Sequence, residues 1–165
     1  EAKPEMLVQF GLLGSLYMQY VHGVEKPRVA LINVGEEPTK GSVELQQAYQ
    51  LLQENPQVYF VGNAEGRDLN QNFAEVYVCD GFVGNVLLKF GESFYPLLKR
   101  MLPDHPDVEH FNYERTGGLP FLGVAGNVIV RHGSSSGLAF QNMLHRAVVL
   151  VQSQLLAKIS AAFAS

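Results

Sequence analysis

One cysteine in 165 residues, Cys79, excludes an internal disulfide, and a reducing, cytoplasmic setting fits that. Cys79 ends an apolar run with no neighbouring cation to lower its pKa, so it reads as a small buried hydrophobe and not as a reactive thiol. Basic charge is also scarce. Twelve Lys and Arg stand against 16 Asp and Glu, a formal net charge of −4. That argues against nucleic acid as a partner, because phosphate backbones demand basic surface. No run of 18 apolar residues occurs, so no transmembrane helix is expected. No signal peptide, internal repeat or low-complexity segment is visible. The five histidines show no ligand spacing, and with a lone cysteine no metal site is expected. The first residue is not Met, and Glu1 to Pro4 reads as a loop entering a helix, so a fragment or a processed piece is expected here.

What is present is a hydrophobic content of 47%, enough for one α/β domain over residues 1–165 with a real core. Pro4 suits a helix first turn. Met6, Phe10, Leu13, Tyr17 and Tyr20 recur at three- and four-residue steps, which predicts a helix buried on that face and ended by His22-Gly23. A strand follows over Arg28 to Val34. A second helix runs over Ser42 to Glu54, with Leu45, Ala48, Tyr49 and Leu52 inward. Short strands at Val58 to Val61 and Val76 to Cys79 precede a third helix from about Gly84 to Met101. An irregular stretch from Pro103 to Pro120, a strand at Asn127 to Arg131 and a long helix from about Gly137 to Phe163 complete the order αβαββαβα. The four strands are expected to form one modest sheet in a layered α/β fold. The last helix carries more apolar surface than solvent requires, so its extra face is expected against another domain or a second subunit.

Each β-branched run is followed by a glycine-rich polar loop. In a parallel sheet such loops gather along the carboxyl edge, where ligands bind. Glycines let backbone N–H groups approach a ligand, and a helix start adds partial positive charge. The repetition predicts an anion-binding edge, most simply for phosphate.

The first loop, Gly35 to Ser42, has its lysine before the second glycine instead of after it, and Glu36 and Glu37 would repel a triphosphate, so it is no P-loop. It reads either as a surface turn capped by Ser42 or as a seat for one phosphate on Lys40 and the following helix N–H groups. In the second, Gly62 to Asp68, Arg67 either forks onto a phosphate or pairs with Asp68 or Glu65. In the third, Asp80 to Asn85, Asp80 is a catalytic carboxylate or a helix cap, and Asn85 is placed to donate to an oxyanion. No GxGxxG is present, so no dinucleotide site is expected. The fourth, His132 to Ser136, collects hydroxyls and N–H groups at a helix start. His132 there is either a proton carrier or a hydrogen-bonded strand-end histidine.

Taken in register, Ala2 to Phe10 with Gly14, Ser15 and Tyr17, Asn33 to Glu36 with Lys40 and Gly41, Gly62-Asn63 with Glu65 to Asp68, Cys79 to Val86 with Lys89, and His132 to Ser135 resemble the bacterial phosphate acyltransferases. The resemblance covers nearly the whole chain. It implies an enzyme that makes acyl phosphate from acyl-acyl-carrier-protein and inorganic phosphate for phospholipid synthesis. It also implies a cytoplasmic homodimer, peripheral at the membrane, that needs no cofactor. The implied fold is a three-layer αβα sandwich with a mostly parallel sheet, like those of phosphotransacetylases and isocitrate and isopropylmalate dehydrogenases. Family chains are longer, with a further sheet portion before the matching part, so this chain is expected to be a C-terminal portion. Glu92 to Gly117 is shorter than the helical insertion of many members.

With phosphate as nucleophile, no covalent serine or cysteine is needed, and positioning and charge stabilisation should dominate. The expected phosphate and substrate contacts are Lys40, Arg67, Gly81, Gly133, Ser134 and Ser135. His132 or Asp80 handles the proton and Asn85 the oxyanion. Lys89, Lys99 and Arg100 flank Phe90, Phe94, Leu97, Leu98 and Met101, and that helix either receives the acidic carrier protein or lipid headgroups, or is an ordinary core helix with basic residues at its C-terminus. Two other readings stay open: a phosphotransacetylase acting on coenzyme A thioesters, and a binding or dimerisation module without turnover.

Overall fold

In the computed structural model, which describes residues 2–112, 118–130 and 137–164, the chain divides into two compact units. One is Glu1–Gly81 with Ala157–Ser165, the other Phe82–Leu156.

The first unit is built on a parallel sheet of three strands, β1 (Arg28–Ile32), β2 (Tyr59–Ala64) and β3 (Val76–Val78), in the order β2-β1-β3. Helix α1 (Pro4–His22) precedes β1 and α2 (Val43–Glu54) connects β1 to β2, which makes the fold α/β, as expected for an αβα sandwich. The central strand β1 is apolar on both faces, as a strand covered on both sides must be. Val29 and Leu31 enter a core with Leu7, Leu12, Ala48, Leu52, Val58 and Val78, while Ala30 packs with Ala64 and Ala74. Leu7, Val29, Leu31 and Leu52 are the largest side chains buried almost completely, each worth about 1.5–3 kcal/mol of burial. Ala162, on the last helix, packs against the same core. At the amino ends of the strands, the Arg28 guanidinium and backbone N–H both donate to the Glu75 carboxylate, at 2.6 and 2.7 Å, fastening β1 to β3.

Several expectations are corrected here. The buried face of α1 is not the aromatic one: Leu7, Gly11, Leu12 and Ser15 face inward, while Met6, Phe10 and Tyr20 are exposed. Small residues win that face because the helix lies very close to the sheet. A Cβ on Gly11 would stand 3.1 Å from Leu52 and 3.3 Å from Val29, and one on Gly14 would stand 2.5 Å from Val76. β2 does not stop at Val61. Its pairing with β1 skips from Phe60 to Gly62, a bulge at which Gly62 takes φ 111°, and the strand continues through Asn63 and Ala64.

In the second unit, α3 (Gly81–Met101) starts three residues earlier than expected, so Gly81 to Asn85 form its first turns and are not a loop. A 3-10 helix over Pro106–Phe111 lies in the stretch read as irregular. The strand β5 (Val128–Val130) is not part of the parallel sheet. It pairs antiparallel with a strand that sequence patterning missed, β4 (Leu119–Phe121), three residues long with a proline at its centre. The long terminal helix is two, α4 (Gly137–Gln152) and α5 (Leu155–Phe163), broken where Gln154 takes φ 53°. The α5 residues Leu155 and Ile159 are buried, but Phe140, Leu144, Val148 and Val151 of α4 are exposed.

Candidate functional site

Because β1, β2 and β3 run parallel, their carboxyl ends share one edge, and the chain beyond each begins there. Beyond β1 this gives a loop from Asn33 to Ser42 that leads into α2. Ser42 caps the helix by accepting from Leu45 N–H at 3.4 Å, as expected of it.

The loop is held from inside by three carboxamides. Asn33, continuing the ladder by donating its N–H to Ala64 O at 2.9 Å, turns its Nδ2 onto Lys40 O at 3.1 Å. Asn63, paired with Leu31 in the register, donates Nδ2 to Glu37 O at 2.9 Å and Glu36 O at 3.5 Å. Gln46, from the first turn of α2, donates Nε2 to Thr39 O at 2.8 Å and Gly41 O at 3.2 Å. Five consecutive-region carbonyls thus face protein donors. In a trans peptide the next N–H points the opposite way. The N–H groups of Gly41 and Ser42 therefore face away from these carboxamides, at the start of a 12-residue helix, where an anion is favoured.

Two sequence-predicted cations belong to this edge. Lys40 folds back over the loop: a Cβ on Gly35 would stand 2.8 Å from its Cγ, and its ammonium lies 4.0 Å from Glu37. Arg67, at the start of the 3-10 helix Gly66–Asn70, bridges Glu36 at 3.1 Å and Glu65 at 3.0 Å. The pairing with Glu65, one of the expected alternatives, is therefore made. Asp68 instead accepts the Glu65 N–H at 2.7 Å in a capping box. Hydrogen bonding to Glu36, then the nearby Glu65 charge, pushes the Arg67 pKa further up. All four side chains of the Lys40–Glu37 and Arg67–Glu36 pairs are half or more exposed, so solvent screens both pairs and leaves them weak. Glu65, the second partner of Arg67, is the less exposed one at 26%, so an arriving anion displaces Glu37 from Lys40 and Glu36 from Arg67 more readily than it displaces Glu65.

At the end of β3, Cys79 is partly buried. Burial pushes its thiol pKa up, and the neighbouring Asp80 charge adds to that, in keeping with an inert side chain. Asp80 immediately precedes α3, Gly81 is its first residue, and Asn85 lies in its second turn. Farther along α3, Lys89 pairs with Glu92 at 2.9 Å and Lys99 with Glu109 at 3.1 Å. Lys89, Glu92, Ser93, Tyr95, Pro96, Lys99 and Arg100 line an open groove of about 760 Å³. Hydrogen bonds from Asn112, Lys99 and Tyr95 lower the pKa of the Glu109 carboxyl to about 2. Of the apolar row beside these cations, Phe90, Leu97 and Met101 are exposed, while Phe94 and Leu98 are partly buried. His132, Gly133, Ser134 and Ser135 lie outside the described residues.

No metal-binding cluster of His, Cys, Asp or Glu occurs among the described residues. The contributors that sequence reading missed are the carboxamides. In the sequence Asn33 and Asn63 stand only as parts of motifs, and nothing there singles out Gln46. The available signal was an asparagine standing where a strand-end hydrophobe is usual.

The family model described as "Fatty acid synthesis protein" matches residues 1–107. A "Phosphate acyltransferase" of Heliobacterium modesticaldum is 44% identical over 96% of this chain and 53% of its own length. Relatives with the same name from Nostoc punctiforme and Salinibacter ruber are 40% and 39% identical, over 99% and 100% of this chain and 54% of theirs. The chain thus spans about half the length of the curated relatives it matches. The first of these alignments runs to 178 positions against a chain of 165 residues, so that relative carries residues inside the matched stretch that this chain lacks.

Proposed function

Because the chain belongs to the fatty acid synthesis protein family, we propose that its protein is a phosphate acyltransferase that makes acyl phosphate from acyl-acyl-carrier-protein and inorganic phosphate. The supporting observation is the Asn33–Ser42 loop. It has an exposed lysine whose carboxylate partner is solvent-screened and N–H groups turned away from the interior carboxamides, and Arg67 reaches the loop's Glu36 from the next crossover. That is a setting for a small, doubly charged oxyanion.

In the proposed reaction a phosphate oxygen attacks the thioester carbonyl. The new C–O bond forms, the C–S bond breaks, and the thiol leaves with a proton. Lys40 and Arg67, with Gly133, Ser134 and Ser135, take the phosphate charge. Asn85 and the Gly81 N–H, both at the start of α3, take the developing oxyanion. His132 or Asp80 moves the proton. Lys89, Lys99 and Arg100 meet the acidic carrier protein. The same proposal includes a cytoplasmic homodimer and a peripheral membrane contact along the exposed row of α3. Among the described residues no helix is long and apolar enough to cross a membrane.

The test is thiol release by the intact protein. We expect release from acyl-acyl-carrier-protein that depends on inorganic phosphate. Release only from acyl-coenzyme A would make the protein a phosphotransacetylase. Phosphate binding without release from either donor would make it a binding module.

A further inference from the structure

The loop that carries Lys40 is held by side chains that do not touch the proposed phosphate. Asn33 and Asn63 are two of the three buried polar residues among the described ones, at 8% and 4% exposure. Asn33 directly follows β1 and Asn63 lies in the adjacent parallel strand β2, paired with Leu31. Asn63 also leaves its Oδ1 buried without a hydrogen-bond partner, which costs about 1–3 kcal/mol. A buried amide kept at such a cost is explained by what its other end does. That end donates to two successive carbonyls of the loop, Glu36 O and Glu37 O. Asn33 fixes the other end at Lys40 O, and its Oδ1 accepts from Val34 N–H at 2.8 Å, so both ends of its amide are used. Gln46 completes the arrangement from the helix that follows.

We propose that Asn33, Gln46 and Asn63 are positioning residues for phosphate. By donating to the carbonyls of Glu36, Glu37, Thr39, Lys40 and Gly41, they hold the loop with the Gly41 and Ser42 N–H groups and the Lys40 side chain turned toward the anion. This rests on the phosphate reading given above. The physical reason is one of sign. Carbonyl oxygens repel phosphate, and a short loop free to flip its peptides would present them. Three amides use up these oxygens and leave the Gly41 and Ser42 N–H groups for the ligand, whereas Pro38 has no N–H and Lys40 donates its own to Glu37 O at 3.0 Å. An acid in place of any of the three removes the donor and sets a negative charge against a carbonyl, which drives the peptide to turn over.

Gln46→Glu is the leading variant, because Gln46 is only partly buried and the change keeps its shape. Asn63→Asp is the second. In steady-state kinetics with the intact protein, each is expected to raise KM for inorganic phosphate about 10-fold or more at pH 8. KM for the acyl donor and the thermal midpoint of Gln46→Glu should stay close to wild type. For Gln46→Glu the ratio to wild type should shrink as pH falls toward the ordinary carboxyl range, about 4–5, where the protonated side chain regains a donor. A purely structural role would not produce that rescue. Unchanged phosphate KM in both variants overturns the proposal. If the wild-type protein shows no phosphate-dependent turnover but binds phosphate in calorimetry, the acyl-transfer reading falls. The positioning proposal is then decided by whether the variants weaken that binding by the same factor. A wild-type protein that neither turns over nor binds phosphate overturns both.

Discussion

Gly41 stands at φ 82°, a region that side-chain-bearing residues enter only with strain. A Cβ built on it would also run into the Asn33 carboxamide. The two effects point the same way, so Gly41→Ala is expected to destabilise the protein by about 1–3 kcal/mol, read from the denaturant midpoint. An unchanged midpoint would mean that the Asn33 contact is not held in solution. At this scale the sequence spoke where the signal was local. The Ser42 cap, the Gly23 stop of α1 and the inert Cys79 each follow from a residue and its immediate neighbours. The work of Asn63 does not, because its carbonyl partners lie 26 and 27 residues away, and no spacing rule links a strand-end amide to a loop in another crossover.

Elements were legible in kind and less so in orientation. The periodicity of α1 identified a helix correctly but pointed to the aromatic face. Hydrophobicity ranks Phe10 and Tyr20 above Gly11, Gly14 and Ser15, yet closeness to the sheet decides the matter. This gives a paired test. Alanine is favoured over glycine inside a helix by about 0.8–1 kcal/mol. At Gly91 of α3 nothing stands within 4 Å of a built Cβ, so Gly91→Ala should stabilise by roughly that amount. At Gly14 the methyl would press into Val76 at 2.5 Å, and overpacking of about 1–3 kcal/mol should reverse the sign. Chemical denaturation of both variants checks it, and a stabilised Gly14→Ala would refute the close docking of α1 on β3. The start of α3 and the missed strand β4 follow similar logic. A glycine-rich string reads as a loop unless something beyond it sustains a helix. A three-residue strand with a central proline shows no alternation, and only its pairing with β5 defines it.

For the molecule as a whole, the terminal helix was expected to carry an apolar face in excess of what its own fold buries, and α4 has one. Phe140, Leu144, Val148 and Val151 recur at four-, four- and three-residue steps, so they share one stripe, and each is more than half exposed. Soluble monomers rarely leave a contiguous apolar patch of more than a few hundred Å² open to water. The homodimer in the proposal supplies a cover of matching chemistry, because a two-fold interface sets one copy of a patch against another. A charge at the centre of such a stripe would be buried unpaired in the dimer and fully hydrated in a monomer, so it acts on association far more than on folding. Val148→Asp, and independently Leu144→Asp, should therefore shift the intact protein from dimer to monomer in sedimentation velocity, with the circular dichroism spectrum unchanged. Variants that stay dimeric would remove α4 from the interface. A wild-type protein that is monomeric at micromolar concentration would overturn the dimer and assign the stripe to another part of the same chain.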